Sequence, residues 1–98
     1  MHAGVTTFHI NPSQADEVTI IYRDHVIPAA MAQGAQNLVL LLDRSSGKGV
    51  STAYWPSEAA AREFESSGRF REVAAMFGDR IVSPPVREVY EVAAMTGG

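Results

Sequence analysis

At 98 residues the chain has the length of one domain, spanning 1–98, with material for a thin core. Its net charge of −3 includes no Lys/Arg-rich patch, which argues against nucleic acid as a partner. There is no cysteine, which excludes a disulfide framework and Cys-ligated metal sites, and no apolar run approaches the roughly 20 residues of a membrane span.

The first residues carry neither the charged segment nor the apolar core of a signal peptide, so a soluble cytoplasmic chain is expected. Gly4 to Ile10 is rich in strand formers and stops at Asn11-Pro12-Ser13. A helix follows. Gln14, Val18, Ile21, Tyr22, His25 and Ala29 fall on one stripe at helical spacing, which turns Tyr22 and His25 toward the core. Pro28 should kink or end that helix, and Gly34 is a suitable stop. Leu38 to Leu42 is the second strand. Asp43 to Gly49 is a hairpin loop, and Val50 to Trp55 is the third strand. Ser57 is a good N-cap for a helix from Glu58 through Phe64, and Glu58 and Arg62 have the spacing of a helix ion pair. Ser66-Ser67-Gly68 interrupts it. A further helical piece runs from Arg69 to Phe77 and ends at Gly78. The last strand is expected over Val86 to Ala94, with a loose tail at 96–98.

The order βα-ββ-αβ defines an α+β, ferredoxin-like domain: an antiparallel sheet with two helices on one face. Asn37-Leu38-Val39-Leu40-Leu41-Leu42-Asp43 has no polar side, and the last strand is apolar on both sides as well. Neighbouring strand residues point to opposite faces, so both faces ask for burial. Two helices cover one. A second copy of the sheet is the simplest cover for the other, so a homodimer is expected.

Among residues able to carry chemistry, His25 has a side chain that titrates near neutral pH and so suits a general base; the alternative is a histidine at the edge of the core. Trp55, the sole tryptophan, suits either an aromatic pocket wall or a plug between sheet and helix. Tyr22 shares the His25 stripe. Phe64 and Phe70 supply apolar wall to any cavity between helices and sheet. His9 lies at a strand end, and His2 is expected to be exposed. The three histidines have no metal-ligand spacing, so no metal site is expected. Ser45 to Gly49 lacks the spacing of a phosphate loop.

The chain resembles the antibiotic-biosynthesis-monooxygenase-like branch of the dimeric α/β-barrel superfamily. The resemblance covers nearly the whole chain. It rests on Pro28 and Gly34, then Leu40-Leu41-Leu42-Asp43, a Gly-containing hairpin, and Tyr54-Trp55-Pro56-Ser57-Glu58-Ala59. It implies two sheets packed into a barrel, and in each subunit a pocket between helices and sheet. Branch members include cofactor-independent oxygenases of quinol-like substrates, heme-degrading enzymes and aldehyde-processing proteins. The heme-degrading pattern is not met: its ligating His falls at Ala74, its helix Trp at Phe64 and its first-strand Asn near Thr6. Some of the oxygenases carry an Asn where this chain has Ser51.

Two functions follow. One is a monooxygenase-like enzyme that needs no cofactor and acts on a small aromatic or quinol-like metabolite, with His25 catalytic and Trp55, Tyr22, Phe64 and Phe70 holding the ligand. The other is a non-catalytic small-ligand-binding or dimerisation module of the same fold.

Overall fold

The computed structural model describes residues 1–97; the tail expected over 96–98 thus ends on Gly98, outside the described residues. Four strands, β1 (His2–His9), β2 (Asn37–Leu42), β3 (Lys48–Trp55) and β4 (Val86–Glu91), form one antiparallel sheet in the order β2-β3-β1-β4. The helical segments are α1 (Ala15–Ile21), α2 (Ile27–Ala32), α3 (Glu58–Glu65) and α4 (Gly68–Ala75), giving the expected ferredoxin-like α+β architecture.

Cross-strand register assigns the two faces. Phe8 pairs with Gly49, Thr6 with Ser51 and Arg87, and Gly4 with Ala53 and Val89. These residues share the helix-covered face with Leu38, Leu40 and Leu42. Val5, Val50, Thr52, Val39 and Leu41 are one residue out of phase and point to the helix-free face. Within the monomer, then, the apolar run of β2 is buried on one side only. Val39 is 37% exposed and Leu41 56%. β4 is shorter than its apolar pattern suggests and ends at Glu91 rather than Ala94. Val86 and Tyr90 are exposed on the helix-free face.

The first helical region departs from the sequence reading. Asn11 caps a short 3-10 turn over Pro12–Gln14, its Oδ1 accepting from the Ser13 N–H at 3.0 Å. α1 then passes into a π-helical turn, Tyr22–Val26, and the chain continues through Pro28 into α2 instead of ending there. Pro28 has no N–H to give, and its ring would crowd the Asp24 carbonyl in a regular helix. The wider turn, with the Ile27 N–H donating to the Tyr22 carbonyl, accommodates both facts.

Elsewhere local chemistry does what the residue types suggest. Ser57 Oγ accepts from the Ala60 N–H at 3.1 Å, and Arg62 reaches Glu58 at 2.9 Å. Asp43 Oδ1 accepts from the Ser45 N–H at 3.0 Å and the Ser46 N–H at 3.3 Å, folding the hairpin loop. Gly47 follows at φ 82°, where a Cβ would collide with the Ile10 carbonyl. Gly49 has a different reason: the Phe8 ring lies across it, in the space a side chain would take.

The core has two centres. One gathers Ala29, Ala30, Ala61, Phe64 and Val73 around Trp55. The other joins Phe8 and Ile10 to Ala15 and Val18. Between them the packing is incomplete.

Candidate functional site

The gap between the two core centres is a partly open cavity of about 90 Å³. That is several times the space one water needs. Phe8 and Val26, with Phe70, Val73, Phe77 and Ile81, form largely apolar walls. Its floor is the helix-covered face of the sheet, where Ser51, Thr6 and Arg87 lie side by side on β3, β1 and β4. Neighbouring strands are about 4.8 Å apart, so this polar row spans roughly 10 Å.

Tyr22 stands over one end of the row. Its hydroxyl is 2.9 Å from Ser51 Oγ, and either group can donate. It also donates toward the Val39 carbonyl on the edge strand at 3.3 Å. Burial pushes the Tyr22 phenol above its ordinary value of 10.0, and the Ser51 hydrogen bond offsets only part of that. At neutral pH Tyr22 is therefore a neutral hydrogen-bonding group and not a base.

Among the residues expected in a pocket, Tyr22 and Phe70 line this cavity. Trp55 and Phe64 do not. Trp55 is 1% exposed and packs on Phe64 at 5.2 Å between ring centroids. Phe64 in turn meets Phe70 edge-on at 5.4 Å. The two inner rings thus support the wall from behind. His25 is exposed and lies outside the lining, which corrects the expectation that the helix stripe turns it inward. That stripe assumes α-helical spacing through residue 29. The π turn over Tyr22–Val26 breaks it, and Val26 takes the cavity position instead. His9 is exposed at the end of β1. His2 is a further correction: it sits within β1, half-buried, with Nδ1 buried and unpartnered among the described residues. Among the described residues no cluster of His, Asp or Glu is placed to hold a metal ion, and no helix is long and apolar enough to cross a membrane.

Sequence reasoning missed Thr6, Ser51 and Arg87 as one group. They are far apart in the chain and meet only through strand register. A signal did exist for Arg87, since it is in phase with Val89, the buried-side residue of β4.

Replacing Tyr22 with Phe should lower stability by about 1 kcal/mol, the usual net value of one hydrogen bond. The pH dependence follows from the raised phenol. Its contribution is fully present below 10.0 and is lost as pH rises through the higher folded-state value. Urea unfolding should show a constant gap between wild type and Tyr22→Phe below pH 10.0, shrinking as the pH rises from there to the folded-state value. A gap that widens in alkali would contradict the buried neutral phenol.

Compared by sequence, the chain matches no family model and no curated protein. Compared by structure, its likeness is extensive. The Rv0793 protein of Mycobacterium tuberculosis superposes with TM-score 0.73 at 17% identity, covering 97% of each chain. A protein named antibiotic biosynthesis monooxygenase gives 0.75 at 18% identity, covering 96% of this chain and 100% of the other. A Bordetella bronchiseptica protein provisionally given that same name gives 0.79 at 13% identity, covering 95% and 97%. The chain therefore has the α+β fold of the antibiotic-biosynthesis-monooxygenase-like proteins, and the resemblance read from its residues holds at the level of the fold.

Proposed function

We propose that this chain is a homodimeric, monooxygenase-like protein that needs no cofactor and holds a small aromatic or quinol-like metabolite in each subunit. The observation that carries this reading is the apolar cavity with the Tyr22–Ser51 hydroxyl pair at its floor. Apolar walls favour a flat ring, and a few convergent polar groups orient it. In an oxygenation of this kind the metabolite itself supplies the electrons. One atom of O2 enters the product and the other leaves as water. The chain contributes exclusion of bulk water by its aromatic walls and the neutral Tyr22–Ser51 pair, one hydroxyl of which would turn from its protein acceptor to donate to oxygen that gains negative charge. Structural neighbours that bear the monooxygenase name support this reading.

A second reading, ligand binding without turnover, is favoured by one placement. His25 faces solvent, which leaves the lining without a side-chain base. Oxygen uptake with an anaerobically prepared hydroquinone separates the two. The first reading expects uptake faster than the spontaneous rate in wild type, and only the spontaneous rate in Ala74→Phe, which fills the cavity. Hydroquinone that binds without faster uptake would leave the binding module standing and remove the enzyme.

The dimer belongs to the same proposal. The helix-free face presents Val39 and Leu41 on β2 and Val86 and Tyr90 on β4, with Val50 and Val5 on the strands between them, an exposed apolar surface of the kind that marks an interface. Glu88, its acidic member on β4, accepts from the Tyr90 hydroxyl at 2.6 Å.

A further inference from the structure

Arg87 is the one charged side chain lining the cavity among the described residues. It differs from most other arginines of the chain. Arg23, Arg44, Arg62, Arg69 and Arg80 each meet a carboxylate at 2.8–3.0 Å. Among the described residues Arg87 forms no ion pair, and its guanidinium donates to no protein acceptor. Arg71 is also free of an ion pair, and both it and Arg87 reach solvent, but Arg71 lies on α4 outside the lining whereas Arg87 borders the cavity.

Arg87 is nevertheless held in place. Its Cζ sits 4.4 Å from the centroid of the Phe70 ring, a cation–π contact against the cavity wall. On its other side it adjoins Thr6, the centre of the polar row. The floor therefore has two unlike ends. At one, Tyr22 and Ser51 offer hydroxyls; at the other, Arg87 offers a planar fork of donors with a full positive charge. This arrangement stands in a chain whose net charge is −3, so the cavity is locally of the opposite sign to the whole.

We infer that the natural ligand of this cavity is a small aromatic carboxylate, its acid group on Arg87 and its ring along the Phe70–Phe77 wall. A carboxylate matches the geometry of a guanidinium fork, and the edge of a low-dielectric wall strengthens the pairing. A ring hydroxyl opposite the acid would face the Tyr22–Ser51 pair, about the length of the row away. The inference rests on the small-ligand reading of the cavity and adds a charge requirement to it.

The test is calorimetric titration of the full chain with 4-hydroxybenzoate and with its methyl ester, which keeps the ring and removes the charge. The acid should bind wild type roughly tenfold more tightly than the ester, the factor of one charge-assisted hydrogen bond at a solvent-reachable site. Arg87→Gln should abolish that preference while leaving the ester's affinity unchanged. Ala74→Phe should lose both probes, with circular dichroism confirming its fold. If the ester binds wild type and the acid binds no better, the charge assignment is overturned and the cavity reading stands. Equal loss of both probes in Arg87→Gln overturns it too. If neither probe binds wild type, the cavity reading falls and the inference falls with it.

Discussion

Replacing Trp55 with Ala is expected to cost about 3–5 kcal/mol of folding stability, read as a lower urea midpoint at an unchanged slope. Trp55 ends β3, is 1% exposed, and is the largest fully buried side chain. Its surroundings explain why the loss should lie in the upper range. Ala29, Ala30, Ala35 and Ala61 are small, and their helices and loop are brought close to the sheet because the indole fills the space between. Short side chains cannot swing in to close the void, so the cavity persists and the lost contacts are not replaced. Phe64 at 5.2 Å loses its ring partner, so the ring on which Phe70 packs is itself no longer backed. A small domain has only about 5–15 kcal/mol in total, so the variant should be partly unfolded at modest urea concentrations. Where it is folded, it should still bind a cavity ligand, because the indole lies behind the wall. A cost below about 1 kcal/mol would mean that the helices collapse onto the sheet, against the alanine-rich packing described above.

The fold was legible in the residues because its strongest signals are local. Strand formers bounded by Asn11-Pro12, by the Asp43–Gly49 loop and by Pro56 mark three strands within a residue or two of their ends. The Ser57 cap and the Glu58–Arg62 pair need only neighbours on the same helix. The site was half legible. Tyr22 and Phe70 reached the cavity because burial on an amphipathic helix follows from spacing. His25 did not, because the wide turn over Tyr22–Val26 gives the inward position to Val26, although Ala29 beyond it is buried as expected, and no periodicity of apolar residues announces such a turn. Arg87 was hidden for another reason. Its phase with Val89 marks its face, but only the pairing of Thr6 with both Ser51 and Arg87 sets it in one row with Tyr22's partner.

Leu41→Lys and Leu40→Lys, adjacent substitutions of the same chemistry, should have opposite outcomes, and the contrast tests the proposed dimer. Leu41 lies on the helix-free face, 56% exposed in the single chain, and pairs with Val50 in a row that continues through Thr7 to Val86. If a second sheet covers that row, Leu41→Lys puts an ammonium in a largely apolar interface. The dimer should then weaken a hundredfold or more, roughly what burial of an unpaired charge imposes, while the monomer keeps its fold. Leu40 points the other way. It packs half-buried against the Phe8–Val18 core centre, so Leu40→Lys should unfold the subunit whatever its oligomeric state. Sedimentation velocity at micromolar concentration, with circular dichroism beside it, reads both. The expected set is a dimeric wild type, a folded monomer for Leu41→Lys and an unfolded chain for Leu40→Lys. A monomeric wild type would remove the dimer. A Leu41→Lys variant that stays dimeric would move the interface off the helix-free face, because no packing of two sheets through Val39, Leu41 and Val86 leaves position 41 in water.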